Sequence, residues 1–437
     1  MKPYMSAHFQ SRKPSAIRLA QIEFAKRTDK VNAINVAIGN VSLPMHPAMQ
    51  QRMFNLDETN SPFKDGIVKY TATIGMEETN KAFLNVISSS GFDISRLYSQ
   101  ITDGGSQAME LVIVGVCGPA GSKEKPILLI DAAYTNYKAM AERTGRSIIS
   151  VSRNLGEDGK FSLPDLDEMD KLINLYQPGS MVVIPYDNPT GHFLDQSTLY
   201  KLASLCIKNN MWMISDEAYR ELLYVNQKSS SIWGLNEEKL PGIAGRRISI
   251  ETTSKVWNAC GLRIGALITD NKDFHERAVA EATASLCSNA IGQYIFGALA
   301  HITADDLYQW YQKQRKYYIG MLSSFTNELK DRLPGVIISS PDASIYSVVD
   351  VRNIAKPNFD ALDFVMWCAT KGSTEIDKIE MTLLVSPMAE FYSVPKNAKN
   401  PGKTQMRIAY VESPENMKKV PLLFEKLFRK YESQRDK

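Results

Sequence analysis

A chain of 437 residues, 44% of them hydrophobic, can bury a large core and is long enough for two lobes. Its 51 basic and 48 acidic residues leave a net charge of +3, with no dense basic block outside the alternating charges of 426–437, which argues against nucleic-acid binding. Five scattered cysteines without CxxC spacing argue against a disulfide framework and a metal site; with no bilayer-length apolar run and no apolar segment at the amino end, the expectation is a soluble cytoplasmic protein.

From the amino end, the sequence predicts a short amphipathic helix over 16–27 and a strand over 34–38 ending at Gly39-Asn40. The stretch 41–69, rich in Pro, Met, Asn and Asp and without a sustained period, reads as an extended, loop-rich arm. After Tyr70–Gly75 comes a helix over 77–88, then a strand over 99–102 that stops at Asp103-Gly104-Gly105-Ser106-Gln107, a polar turn opening an apolar helix over 108–117. Strands over 127–131, 147–151, 181–185, 211–215 and 247–250 then alternate with helices over 134–144, 163–175 and 196–209. That alternation predicts an α/β fold with a largely parallel, doubly wound sheet. Beyond it, a long helix over 305–333 leads to strands over 336–339, 345–351 and 381–385 and helices over 360–370 and 413–431.

Polar groups gather at the predicted strand ends, where an open α/β sheet takes its ligand. Lys255 follows the strand over 247–250 and the hydroxyl run Thr252, Thr253 and Ser254, and stands eight residues before Arg263. An amine among hydroxyls and a guanidinium suits a phosphate-bearing aldehyde: the amine forms a Schiff base while Thr252, Ser254 and Arg263 hold the phosphate. The turn at 103–107 offers helix N-terminal N–H groups, so Gly105, Ser106 and Gln107 are candidates for the rest of a phosphate cup. Pro185 and Pro189 fix a turn that holds the Asn188 amide, Asp216 and Tyr219 close the next strand with an acid and a phenol, and Tyr134 brings an aromatic face to the same edge. Taken singly, Lys255 reads as a solvated charge, Asp216 as a helix cap, Tyr134 as core packing and 103–107 as a plain strand-to-helix turn.

In order along nearly the whole chain, Ala37-Ile-Gly39, Tyr70-Thr-Ala-Thr-Ile-Gly75, Thr102-Asp-Gly-Gly-Ser-Gln107, Asp131-Ala-Ala-Tyr134-Thr-Asn-Tyr137, Asp187-Asn-Pro-Thr-Gly191, Asp216-Glu-Ala-Tyr219, Thr253-Ser-Lys255 and Met406-Arg407 resemble the class I/II, aspartate-aminotransferase-like family of fold type I pyridoxal-phosphate enzymes. Each segment alone is weak, whereas the ordered set is specific. The resemblance implies a large cofactor domain and a smaller α+β domain from both chain ends. The expected division is 1–60 for the amino-terminal arm and part of the small domain, 61–320 for the large domain and 321–437 for the rest of the small one.

The resemblance also implies pyridoxal 5'-phosphate joined to Lys255 as an aldimine, with Lys255 later moving the proton between substrate Cα and the cofactor. Asp216 resembles the partner of the pyridinium nitrogen, Asn188 and Tyr219 those of the phenolic oxygen, and Tyr134 the ring that stacks on the cofactor. Gly105, Ser106, Gln107, Thr252, Ser254 and Arg263 match the phosphate cup. Arg407, on a β-like run over 404–410, resembles the arginine that clamps the substrate α-carboxylate, with Gly39 and Asn188 beside the substrate. Tyr70 resembles the tyrosine that reaches the other subunit's phosphate in a homodimer. The activity implied is amino transfer between an amino acid and a 2-oxo acid. The alternative is a carbon–sulfur β-lyase or an aminocyclopropane-carboxylate-synthase-like lyase, because these chemistries diverge only after the shared proton abstraction. Pro387-Met388-Ala389-Glu390-Phe391 and Asn40-Val41-Ser42 depart from the family pattern, so aspartate, aromatic, branched and diaminopimelate-like donors all stay open.

Overall fold

The run Ile127–Asp131 (ILLID) is apolar at nearly every position, the pattern of a parallel strand covered on both faces. All five of its residues are buried in the computed structural model, which describes residues 3–339, 341–395 and 398–435. The strand belongs to the larger of two units, Asn40–Leu322 with Ser339–Ser347. Seven strands form its sheet: β1 (Tyr98–Thr102), β2 (Ile127–Asp131), β3 (Ile148–Ser152), β4 (Ser180–Val183), β5 (Trp212–Asp216), β6 (Arg247–Thr252) and β7 (Gly265–Thr269). Their spatial order is β1-β7-β6-β5-β4-β2-β3. The pairs from β6 through β3 are parallel, and β7 runs antiparallel to both β1 and β6. The fold is thus the largely parallel α/β sheet that the sequence predicts.

Two local differences bear on the site. β7 is not among the predicted strands, because an antiparallel neighbour needs no crossover helix to announce it. Its pairing sets Thr252 opposite Gly265 and makes 253–264 a loop across one sheet edge. The helix after β1 spans Gly104–Val116, four residues earlier than predicted, so 104–107 are its first turn and not a turn before it. Its apolar stripe, Ala108, Met109, Val112, Ile113 and Val116, is buried against Leu129, Val182, Ile214, Ile250 and Leu267 of the sheet. Each of the larger of these side chains contributes roughly 1.5–3 kcal/mol on burial. A helix, Pro47–Phe54, also interrupts the stretch expected to be an extended arm. His46 Nδ1 caps it by accepting from the Ala48 N–H at 3.3 Å, and Pro47 sits in the first turn, where its missing N–H is no loss.

The smaller unit comprises Met1–Gly39, Ser323–Ile338 and Val348–Lys437. Within it Asn32–Asn35 pairs in parallel with Ile379–Leu384, which pairs antiparallel with Thr374–Ile376. A second sheet orders Ser386–Pro387, Gln405–Ala409, Tyr346–Asp350 and Ile337–Ile338. Phe364 of the helix Ala361–Thr370 packs on Phe424 and Phe428 of the helix Pro414–Gln434, with ring centroids 5.9 and 6.2 Å apart. Among the described residues no helix is long and apolar enough to cross a membrane.

Candidate active site

The loop between β6 and β7 starts with three hydroxyl residues, which hold it from within. The Thr253 hydroxyl donates to the carbonyls of Ala259 and Ile264, both at 3.1 Å, and Thr252 Oγ1 lies 2.8 Å from Ser254 Oγ. Arg263 closes the loop in the left-handed region (φ 54°), its Nη1 donating to the Cys260 carbonyl at 3.1 Å. The guanidinium rests against Gly104, where an added Cβ would stand 2.4 Å from Arg263 Nη2, and where φ of +69° favours glycine. A Cβ on Gly265 would come within 2.6 Å of the Gly105 nitrogen, so this strand residue must also be small. The first turn of the helix Gly104–Val116, whose N–H groups have no partner inside the helix, is thereby pressed against Thr252 and Arg263. Amides, hydroxyls and a guanidinium converge there as an anion seat. Gln107 is placed differently from Gly105 and Ser106: its Oε1 turns back to accept from the Asp103 N–H at 2.7 Å.

Asp216 ends β5. Its Oδ2 accepts from the Tyr137 hydroxyl at 2.5 Å and its Oδ1 from the Ala218 N–H at 3.1 Å. Burial pushes its carboxyl above the usual carboxylate range, opposed by the Tyr137 and Ala218 hydrogen bonds and by the charge of Lys255. Tyr137 is buried and its phenol is driven well above the usual range, first by desolvation and then by the Asp216 charge beside it, so it acts here as a donor. Its ring meets Tyr134 edge-on, 5.5 Å between centroids, and the Tyr134 hydroxyl accepts from Asn136 Nδ2 at 2.8 Å.

Tyr219 and Asn188 are both buried in loops after β5 and β4. The Asn188 turn is anchored beneath by Arg153, 2% exposed, whose Nη2 donates to Asp187 Oδ2 at 2.7 Å and to the Ala132 carbonyl at 3.1 Å. Burial raises the Asp187 carboxyl, and Arg153 and Thr190 oppose it. The Tyr219 hydroxyl lies 2.8 Å from that of Tyr346.

The larger unit therefore brings Gly104, Gly105, Thr252, Ser254 and Arg263 together as one group, with Ser106 next in the same helix turn, and Asp216 with Lys255 in electrostatic contact as another. Gly39 and Arg407 belong to the smaller unit, where Arg407 is buried on Gln405–Ala409, donates from Nη2 to the Ala37 carbonyl at 2.6 Å and lies 5.2 Å from the Phe391 ring centroid. Tyr70 is 81% exposed on a loop. The residues present fit a phosphorylated pyridine aldehyde: an anion seat, a half-buried carboxylate whose desolvation favours a cationic partner, and a primary amine that feels its charge. Tyr137, Arg153 and Tyr346 carry no assigned role in the sequence reading. Tyr137 stands three residues after Tyr134, within 131–137, a spacing visible in the sequence; Arg153 and Tyr346 meet these loops only through tertiary packing.

A family model described as aminotransferase class I and II matches residues 57–419. Over 323 residues the chain is 23% identical to the aspartate aminotransferase of Musicola paradisiaca, covering 71% of this chain and 73% of that one. Over 215 residues it is 24% identical to the cystathionine beta-lyase PatB of Bacillus subtilis, covering 48% of this chain and 52% of that one. A single mutant of the aspartate aminotransferase of Thermus thermophilus matches its fold with a TM-score of 0.79 at 18% identity, over 98% of this chain and 100% of that chain.

Proposed function

The chain belongs to the class I and II aminotransferases, a family of pyridoxal-phosphate-dependent enzymes, and from that premise we propose that it moves an amino group between an amino acid and a 2-oxo acid on a cofactor held by Lys255. The observation that supports this most is the β6–β7 loop, whose Thr252 and Arg263 meet the first turn of the helix Gly104–Val116 and whose Lys255 acts electrostatically on Asp216. When bound, pyridoxal phosphate supplies an electron sink that lets a substrate Cα–H be broken at neutral pH.

The roles of the chain's own residues follow from their chemistry. Arg263, Ser254, Thr252 and the first-turn amides at Gly105 and Ser106 hold the phosphate dianion. Asp216, kept anionic by the Tyr137 and Ala218 donors and by a cationic partner, retains the proton on the ring nitrogen. Asn188 and Tyr219 donate to the phenolic oxygen, and Tyr134 covers one ring face. With the cofactor bound, the Lys255 amine would be the base that takes the proton from substrate Cα and hands it to the cofactor's C4′. Arg407 would grip the α-carboxylate in a two-pronged hydrogen bond, with Gly39 beside the substrate. Tyr70 completes the phosphate seat of a second copy in a homodimer.

The test is a screen of amino donors with 2-oxoglutarate and pyruvate as acceptors, with products identified. Amino transfer predicts one new amino acid for each 2-oxo acid released from the donor, and no turnover without an acceptor. Release of ammonia and pyruvate from a donor alone would instead assign the lyase chemistry.

A further inference from the structure

We infer that Tyr346 is a positioning residue for Tyr219, acting through the hydroxyl pair the two side chains form, an inference that rests on the reading of Tyr219 given above. Both side chains are buried, at 2% and 3% exposure, and their hydroxyls lie 2.8 Å apart, with the rings edge-on and 5.7 Å between centroids. A tyrosine that donates to a cofactor oxygen must accept from its other neighbour, so with the cofactor bound Tyr346 is the donor of the pair. A phenol that accepts a hydrogen bond is polarised into a stronger donor, because successive hydrogen bonds reinforce one another in a dry site. Tyr346 thereby strengthens the bond from Tyr219 to the phenolic oxygen.

The backbone leading to Tyr346 keeps this geometry fixed. The Asp342 and Ala343 N–H groups both donate to the Gly191 carbonyl at 2.9 Å, and Ser344 Oγ donates to the Asp187 carbonyl at 2.8 Å, so the segment is bound to the turn that carries Asn188. On its other side the Ser344 N–H donates to the Leu222 carbonyl at 2.8 Å, the Tyr224 N–H to the Asp342 carbonyl at 2.8 Å and the Tyr224 hydroxyl to the Ser344 carbonyl at 2.5 Å, so it is bound equally to the loop that carries Tyr219. Ser344 takes φ of +60°, an unfavourable region for a residue with a Cβ, which these bonds over-determine. The segment 342–346 is a strap between the two loops whose side chains meet the phenolic oxygen, and Tyr346 is its terminal hydroxyl.

The experiment reads the bound cofactor's own absorption as a function of pH in the holoprotein. Tyr346→Phe removes one hydroxyl and no charge, leaving the Arg153–Asp187, Arg315–Glu221 and Lys160–Asp342 ion pairs of these loops in place. It should move the midpoint of the spectral titration upward by roughly half to one pH unit, since the cofactor's oxygen anion loses part of its stabilisation. In a Tyr219→Phe background the same change should add nothing, because Tyr346 acts through the hydroxyl already removed. Tyr224→Phe, which removes one of the strap's several bonds but keeps the hydroxyl pair, should lower the thermal midpoint and move the spectral midpoint clearly less than Tyr346→Phe does. An unchanged spectral midpoint in Tyr346→Phe, an equal shift in both backgrounds, or an equal shift in Tyr224→Phe would each overturn the inference. Failure of the underlying reading looks different: a cofactor band that survives in Lys255→Ala, or a Tyr219→Phe titration identical to that of the native protein.

Discussion

Asp216 and Glu217 are neighbours in sequence, but the pleat at the end of β5 sends them to opposite faces of the sheet, and the two faces satisfy a buried carboxylate in different ways. On the Asp216 face the surroundings are Ile214, Ile248, Ile250 and Tyr137, and the Tyr137 phenol and the Ala218 N–H that donate to it are neutral. On the Glu217 face, Ser215 and Ser231 donate to Glu217 Oε1 at 2.9 and 2.7 Å, and Ser249 donates to Glu251 Oε1 at 3.0 Å. Arg220 Nη2 stands 2.5 Å from Glu251 Oε1 and 3.4 Å from Glu217 Oε2. Burial raises the carboxyl of Asp216 and pushes that of Glu251 up to about 7, in each case against opposing partners. The difference lies in the cation. One face carries its own arginine, closed within the protein; on the other the half-buried acid is held by neutral donors and feels the charge of Lys255. A strained carboxylate is therefore no sign of function by itself, and what matters is whether the fold has already supplied its counter-charge.

The largest contrast is expected in the chemistry. Asp216→Asn should slow removal of the substrate Cα proton by roughly a thousandfold or more, since the ring nitrogen loses the charge that keeps it protonated, whereas Glu217→Gln should change the same single-turnover rate by less than about tenfold. Equal losses in the two variants would erase the distinction between the faces. In stability the order reverses. Arg220→Met leaves two buried carboxylates without their cation and should lower the unfolding free energy by about 3–5 kcal/mol in denaturant titrations, while Asp216→Asn should change it by less than about 1 kcal/mol. A mild Arg220→Met would mean that water reaches that cluster.

The smallest effect is a slope. The folded-state pKa of Glu251 lies above its value in the unfolded chain, so the folded protein binds more protons between the ordinary glutamate range and about pH 7. Its contribution therefore favours the folded state at the acid side of that window and declines as pH rises through it. Glu251→Gln should flatten the thermal midpoint between about pH 5 and pH 7 relative to the native protein; a slope that survives the substitution would have to come from other groups.

How far the sequence discloses this arrangement depends on range. The parallel strands were legible because burial on both faces forces continuous apolar runs such as 127–131, and the grouping of Thr252, Ser254 and Arg263 was legible because they lie close together in the chain. β7 was not, since an antiparallel partner carries no crossover signature, and neither was the helix Pro47–Phe54, whose short mixed sequence starts on a histidine cap. The Arg220–Glu251 pair and the Tyr219–Tyr346 pair join residues 31 and 127 positions apart, a separation at which no local spacing rule operates.

The claim on which the rest depends is that Lys255 carries the cofactor. Borohydride treatment of the holoprotein delivers hydride to the carbon of the lysine–cofactor double bond while water protonates the nitrogen, leaving a secondary amine that survives proteolysis. Digestion and mass mapping should then find the pyridoxyl group on Lys255, in the peptide that also carries Thr252 and Ser254. A label on a different lysine, or none on a preparation that still transfers amino groups, would contradict the account.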